Sequence, residues 1–123
     1  MADPAAFGEP AMAGYRQQVE VRARLGDEQS RYQHVQVLDT APFGRMLILD
    51  DAVQTTLADE AAYHEMLVHV PMLAHPNPLD VLIIGGGDGG TQRRVLHHPV
   101  RRALQVEIDE AVIRLSRELL PEI

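Results

Sequence analysis

Cysteine and tryptophan are both absent from the 123-residue chain, and aromatic residues make up only 4% of it. Without thiols there are no disulfides and no thiolate chemistry. The hydrophobic fraction of 46% still permits a core, which has to be aliphatic. No uninterrupted apolar run approaches the roughly 18 residues that a membrane span needs. The N-terminal stretch MADPAAFGEP has acids and prolines where a signal peptide has basic and apolar regions. We therefore expect a cytoplasmic protein with no membrane partner.

Basic residues are also scarce. The chain has 11 lysines and arginines against 18 aspartates and glutamates, and its net charge is −7. A nucleic-acid partner needs a basic stripe that neutralises phosphates, so this balance argues against one. The same charge is compatible with a cationic small-molecule substrate, although most acidic proteins bind none.

The composition changes twice along the chain. Residues 1–14 are rich in Ala, Gly and Pro and predict a flexible arm. Residues 15–57 contain short alternating segments such as QVEVRARL, YQHVQVL and RMLILDDAVQTT, which predict a small antiparallel β-domain. Asp50 and Asp51 are expected to break the last segment into a hairpin.

Residues 58–123 begin with a predicted helix. Asp59 is a suitable N-cap, and the helix runs to about Ala74, with Pro71 expected to kink or shorten it. The side chains expected to point inward are the apolar Ala62, Met66, Leu67, Val70 and Leu73.

Two strand–helix pairs follow this helix. The predicted ranges are strand 80–84, helix 91–97, strand 103–108 and helix 110–120. The overall prediction is an α/β protein in which the β-domain precedes the opening β-α-β-α of a Rossmann-like, doubly wound sheet. Because two parallel strands do not form a stable sheet alone, we expect this second domain to be truncated.

A glycine-rich loop joins the first of these strands to its helix. In VLIIGGGDGG, Gly85, Gly87 and Gly90 fit the pattern G-x-G-x-x-G, in which a nucleotide approaches the N-terminus of a helix. Glu107 follows about 20 positions later, at the end of the next strand, where a carboxylate accepts hydrogen bonds from both ribose hydroxyls. The alternative for Glu107 is a solvated charge at a strand end.

Asp88 lies inside that loop, where the pyrophosphate of a dinucleotide would bind. Two like charges in contact repel by about 1 kcal/mol even in water. Asp88 therefore favours an adenosyl ligand with an ammonium or sulfonium group over NAD. The alternative is that Asp88 caps the next helix, and both roles are compatible.

The segment DEAAYHEMLVH resembles the zinc motif H-E-x-x-H but departs from it. His64 and His69 are about 140° apart around a helix, so they do not converge on one metal ion, and we assign no metal. Tyr63 and His64 are instead candidates for lining a cleft that faces the glycine loop. A lone helical histidine is more often structural.

Taken together, the motifs YQ, FGRMLILD, VQTTLADE, YHEM, GGGDGG and VEID resemble the N-terminal half of the spermidine synthases, the polyamine aminopropyltransferases. The resemblance extends from Glu28 to Ile123. It implies a small β-domain before a Rossmann-like domain, and a homodimer or homotetramer. It also implies aminopropyl transfer from the co-substrate decarboxylated S-adenosylmethionine to putrescine, with no cofactor, giving spermidine and methylthioadenosine.

The resemblance assigns roles to seven residues. Gln33, Gly85, Gly87 and Glu107 would hold the nucleoside, while His64 and Asp88 would contact the amine chains, with Tyr63 as a neighbour. The catalytic aspartate that acts as base in the family is expected beyond Ile123, so no catalytic residue is assigned within this chain. A class I methyltransferase, and a truncated paralogue that binds nucleoside or pairs with full-length subunits, are the alternative functions.

Two residues depart from the family pattern. Asp51 stands where the family usually has Gly after LD, and we expect strain in a hairpin that needs positive φ, which Asp tolerates better than most residues. Arg94 stands where the family usually has Glu, and this reversal of charge is expected to disturb a local pair.

Overall fold

The computed structural model describes residues 5–123, apart from the side chains of residues 10 and 11. The chain divides into two compact units, Met1–Asp59 and Glu60–Ile123. The predicted domain ranges, 15–57 and 58–123, place their boundary in the same turn, which follows the last strand of the first unit.

The first unit is a five-stranded antiparallel sheet in which every strand pairs with its neighbour in sequence. Its core lies on the third and fourth strands, where Val35, Val37, Leu47 and Ile48 are fully buried. In chain order the strands are β1 Ala6–Met12, β2 Tyr15–Gln29, β3 His34–Thr40, β4 Gly44–Leu49 and β5 Ala52–Thr56.

The predicted flexible arm is wrong over Ala6–Met12, which form β1. This strand pairs with β2, from Ala6 opposite Glu20 to Met12 opposite Tyr15. Composition describes side chains, whereas the main-chain groups of this segment pair with the long β2 strand whatever the side chains are. Residues 1–4 of the predicted arm lie outside the described residues.

The hairpin between β4 and β5 turns at Asp50 and Asp51, as predicted. Their φ angles are 47° and 63°, so both residues adopt the left-handed conformation. A two-residue hairpin turn of this kind needs positive φ at both central positions, and aspartate is among the residues that tolerate it. The Asp50 side chain also accepts a 2.8 Å hydrogen bond from the His34 amide, which anchors the turn to β3.

The second unit has the predicted alternation of helices and strands. It comprises α1 Glu60–Ala74, β6 Asp80–Ile84, α2 Gly90–Val95, β7 Arg102–Val106 and α3 Glu110–Leu119. β6 and β7 are parallel, with Asp80 opposite Arg102 and Ile84 opposite Val106. The predicted α/β class, with a β-domain followed by the opening elements of a parallel sheet, is confirmed. None of the helices within residues 5–123 combines the length and apolar character needed to cross a bilayer.

The predicted inward face of α1 is wrong. The buried residues are Glu60, His64, Val68 and Met72, one per turn, whereas the side chains predicted to be inside, Ala62, Met66, Leu67, Val70 and Leu73, are exposed. Both faces of the helix carry apolar residues, so hydrophobicity alone does not select one. The buried face is the one whose polar residues have partners on α2 and the glycine loop, and whose Val68 and Met72 pack with Ile83 and Val95. Pro71 lies inside the helix, which continues to Ala74.

Candidate active site

The glycine loop leaves β6 in a conformation that other residues rarely adopt. Gly85, Gly86 and Gly89 have φ angles of 85°, 71° and 90°. The amide of Gly85 donates a 2.8 Å hydrogen bond to the carbonyl of Val106, and the Gln105 side chain donates to the carbonyls of Gly85 and Gly86. The loop is therefore fastened to β7, and the end of β7 lies beside it.

Gly87 is glycine because Glu107 lies against it. A Cβ atom at Gly87 would be 2.9 Å from Cγ of Glu107 and 2.9 Å from Cγ1 of Val112. Glu107 Oε2 accepts a 3.0 Å hydrogen bond from the Gly87 amide, and Oε1 accepts one of 3.0 Å from the Asp109 amide. Each carboxylate oxygen has two lone pairs, so the group keeps acceptor capacity while the main chain fixes its position.

An open cleft of about 610 Å³ adjoins this carboxylate. Gly87, Asp88 and Glu107 are among its lining residues, together with Gln92 and Arg117 from the two following helices. Two of the predicted nucleoside residues, Gly87 and Glu107, are thus brought together at one cleft, and Gly85 lies in the same loop. Their role in binding stays a prediction.

Gly90 is glycine because the His64 ring lies over it. A Cβ atom at Gly90 would be only 2.1 Å from Cε1 of His64. The His64 side chain is 1% exposed, and its Nε2 lies 3.3 Å from Oδ1 of Asp88. The same Asp88 oxygen accepts a 2.8 Å hydrogen bond from the Gly90 amide. Asp88 therefore binds the first residue of α2 from the position before the N-cap, Gly89, and also faces His64.

The other side of the His64 ring contacts Glu60. His64 Nδ1 lies 3.0 Å from Glu60 Oε2. One terminal nitrogen of Arg94 donates to the two oxygens of the same carboxylate, at 3.3 Å and 3.4 Å. Instead of disturbing a pair, Arg94 forms one. These four side chains, Arg94, Glu60, His64 and Asp88, are called the buried charge chain below.

Two groups of the buried charge chain have shifted pKa values. Burial lowers the pKa of His64, but the hydrogen bonds and charges of Asp88 and Glu60 outweigh it, so the pKa lies above the ordinary 6.5. Burial raises the pKa of Asp88, but its contacts with His64 and the Gly90 amide outweigh that effect and hold the pKa below the ordinary 3.8. An imidazolium between two carboxylates is thereby favoured.

The remaining predicted residues lie around this chain or in the other unit. Tyr63 is 55% exposed, and its ring meets the His64 ring edge-on at 5.0 Å. His69 has different contacts, with Nδ1 2.8 Å from Nε2 of His98. Gln33 lies in the first unit, in the turn between β2 and β3, where its amide donates a 3.0 Å hydrogen bond to Ser30 Oγ.

Glu60 and Arg94 were not predicted as site residues. Arg94 was noted only as a departure from a family pattern. A signal for Glu60 was available, because it lies four positions before His64, a spacing at which helical side chains meet. The Arg94 contact joins residues 34 positions apart, which no local pattern indicates.

Comparison with known proteins matches both units to domains of one family. Residues 60–123 match the spermine/spermidine synthase domain, and residues 7–56 match the spermidine synthase tetramerisation domain. Among solved structures, a spermidine synthase from Thermotoga maritima is 38% identical with a TM-score of 0.92, covering 99% of this chain and 45% of its own. A spermidine synthase in complex with the transition state analogue AdoDATO has the same TM-score of 0.92 and identity of 38%, with 43% of its chain covered.

Curated relatives give the same result. The polyamine aminopropyltransferase of Desulforudis audaxviator is 56% identical over 104 residues, which are 84% of this chain and 38% of that protein. The enzyme of the same name from a Thermoanaerobacter species is 52% identical over 118 residues, which are 95% of this chain and 43% of that protein.

The matched domains define the class of protein: a synthase domain that follows a tetramerisation domain along the chain. The chain belongs to the spermine/spermidine synthase family, as the resemblance predicted. It spans less than half the length of the curated relatives it matches.

Proposed function

We propose that this chain supplies the nucleoside and amine sites of a polyamine aminopropyltransferase. The donor would be decarboxylated S-adenosylmethionine and the acceptor putrescine, giving spermidine and methylthioadenosine. The observation that carries the proposal is the placement of two carboxylates along one cleft: Asp88 within the glycine loop, and Glu107 against Gly87 of that loop. One would accept from ribose hydroxyls, and the other would face a cation.

The charge distribution supports a sulfonium donor and an ammonium acceptor. A pyrophosphate at this loop would meet the Asp88 carboxylate, whose pKa is held low, so that it stays charged at neutral pH. In the transfer, the acceptor nitrogen forms a bond to the propyl carbon while the bond from that carbon to sulfur breaks. The electron pair goes to sulfur, which becomes neutral, and the nitrogen loses a proton. No redox cofactor or metal is required by this balance, and we propose none.

The residues of this chain would bind and align, and not abstract the proton. We assign no general base among residues 1–123. Alignment of an amine with an electrophilic carbon supplies a large part of such a rate enhancement by itself. General-base catalysis contributes typically 10²–10⁴-fold in addition. We further propose that the first unit mediates assembly into homodimers or homotetramers, because it matches a tetramerisation domain, and that the protein acts in the cytoplasm.

Calorimetry with methylthioadenosine and NAD, followed by an activity assay, tests this proposal. The purified 123-residue protein is expected to bind methylthioadenosine and to bind NAD at least tenfold more weakly. Because no residue among 1–123 is assigned as the base that accepts the amine proton, spermidine formation from putrescine is expected to be about 10²–10⁴-fold slower than in a full-length relative. Preference for NAD, or methyl transfer in place of a lengthened polyamine, would contradict the proposal.

A further inference from the structure

The buried charge chain contains one residue whose role the proposed reaction does not explain. Arg94, on α2, is only 5% exposed, and its guanidinium contacts Glu60. Its Nε is buried without a hydrogen-bond partner among the described residues. An arginine held in this way has a desolvation cost that only its pairing with a carboxylate offsets.

The Arg94 side chain pairs with the two oxygens of a single carboxylate, that of Glu60. Both hydrogen bonds from Arg94 go to Glu60, and Glu65 is more distant at 3.9 Å and largely exposed. Glu60 Oε2 is also the atom that meets His64 Nδ1. The carboxylate therefore lies between a permanent cation and an imidazole that titrates.

We propose that Arg94 is a positioning residue for the amine end of the site: it holds the Glu60 carboxylate, and through Glu60 it fixes the orientation of His64 and the charge that His64 presents to Asp88. Its relevance to amine binding rests on the proposed function, whereas the coupling itself does not. With Arg94 in place, Glu60 is neutralised from one side, so less of its negative charge is available to hold a proton on His64.

Several groups contact His64, whereas the effect of Arg94 on its pKa is indirect. These groups are Glu60 and Tyr63 on α1 and Asp88 in the glycine loop. Arg94, on α2, contacts Glu60. Burial and the two carboxylates oppose one another, with the net result that the pKa of His64 is raised. Removal of the arginine charge is expected to raise this pKa further, since an unneutralised Glu60 attracts a proton more strongly.

The test is a pH titration of the His64 ring by NMR, in which a His64→Gln variant assigns the resonance. In Arg94→Met, which keeps the length of the stem and removes the charge, the His64 midpoint is expected to rise by about half a pH unit or more. In Arg94→Lys, which keeps the charge, it is expected to stay within about 0.2 units of the parent. An equal midpoint in Arg94→Met and the parent would overturn the proposal.

A double-mutant cycle shows whether the effect passes through Glu60. Glu60→Gln is expected to lower the His64 midpoint, and in that background Arg94→Met is expected to produce less than half of its original shift. A full shift in the Glu60→Gln background would mean that Arg94 acts directly and would overturn the positioning role.

Two results remain decisive if Arg94→Met does not fold. Arg94→Lys and Glu60→Gln then carry the test, and an unchanged midpoint in Glu60→Gln, or a shift above about half a unit in Arg94→Lys, contradicts the coupling. Calorimetry with methylthioadenosine tests the proposed function separately. Because no ligand enters the titration, absence of nucleoside binding and absence of coupling are distinguishable outcomes.

Discussion

Two carboxylates in the candidate site of the second unit, Glu107 and Glu60, are held by different kinds of hydrogen-bond partner. Glu107 accepts from the main-chain amides of Gly87 and Asp109, so its position follows from the loop and the strand end. Glu60 is held by two side chains: that of His64, one turn further along α1, and that of Arg94, on α2. A carboxylate of the first kind depends on backbone geometry alone, whereas one of the second kind depends on the charge state of its neighbours.

This difference predicts which substitutions act on which end of the site. A change at Gly87, which contacts Glu107, should disturb geometry without regard to pH. A change in the buried charge chain should instead alter how stability and binding respond to pH.

The largest effect is expected from Gly90→Ala, because the new Cβ would be 2.1 Å from the His64 ring. Displacement of a buried ring from its site costs about 1–3 kcal/mol of unfolding free energy, and the pKa of His64 should return toward its ordinary value. Chemical denaturation and a histidine titration measure the two effects. Gly89→Ala is the control, since its Cβ would meet no atom within 4 Å and only its positive φ is strained. The same histidine midpoint in both variants would show that the contact with Gly90 does not position His64.

Glu107→Gln should weaken the binding of methylthioadenosine by about 1.5–3 kcal/mol, or roughly 10–150-fold, because a charge-assisted hydrogen bond is lost. Calorimetry measures this loss. Glu118→Gln on the exposed surface of α3 carries the same change of charge and should have no effect beyond about twofold. Equal losses of affinity in the two variants, or a loss of affinity for putrescine alone, would contradict a role of Glu107 in nucleoside binding.

A smaller effect is expected in the pH dependence of stability. The pKa of His64 is raised above 6.5, so the folded state binds its proton more tightly than the unfolded state. The stabilisation is fully present below pH 6.5 and is lost as the pH rises through the raised pKa. The pKa of Asp88 is lowered, so its stabilisation is present above pH 3.8 and is lost as the pH falls through the lowered value.

Denaturant unfolding of the parent and of His64→Gln, compared between pH 6 and pH 9, measures the histidine contribution. The parent should lose more stability than the variant over this range, while the other titrating groups cancel in the difference. Parallel curves would contradict the raised pKa of His64.

Much of the fold was predictable because its signals are local. The glycine loop is preceded by branched apolar residues, and β6 has the predicted bounds, Asp80–Ile84. The Asp50–Asp51 turn carries its own conformational preference. β1 could not be found in this way, because its pairing with β2 uses main-chain groups that composition does not report.

In the candidate site, the sequence predicted one of the two carboxylates, Glu107, but not the contacts of the other, Glu60. Glu107 was predicted from its distance along the chain to the glycine loop, since a strand end and a loop at one sheet edge must lie close together. The partners of Glu60 depend on which face of α1 is buried. Because both faces carry apolar residues, the sequence pattern did not indicate which one that is. Arg94 could not be paired from the sequence, because its partner is brought near only by packing of α1 against α2.

The most direct test of the account is a titration of Asp88→Asn with a cationic ligand, putrescine, and a neutral one, methylthioadenosine. Asparagine keeps the size of the side chain and an oxygen for the Gly90 amide, but it removes the charge. We expect putrescine affinity to fall by about 5–150-fold, corresponding to an ion pair of roughly 1–3 kcal/mol, and methylthioadenosine affinity to change by less than about twofold. Equal losses for both ligands, or no loss for either, would contradict the claim that Asp88 presents its charge to a cation.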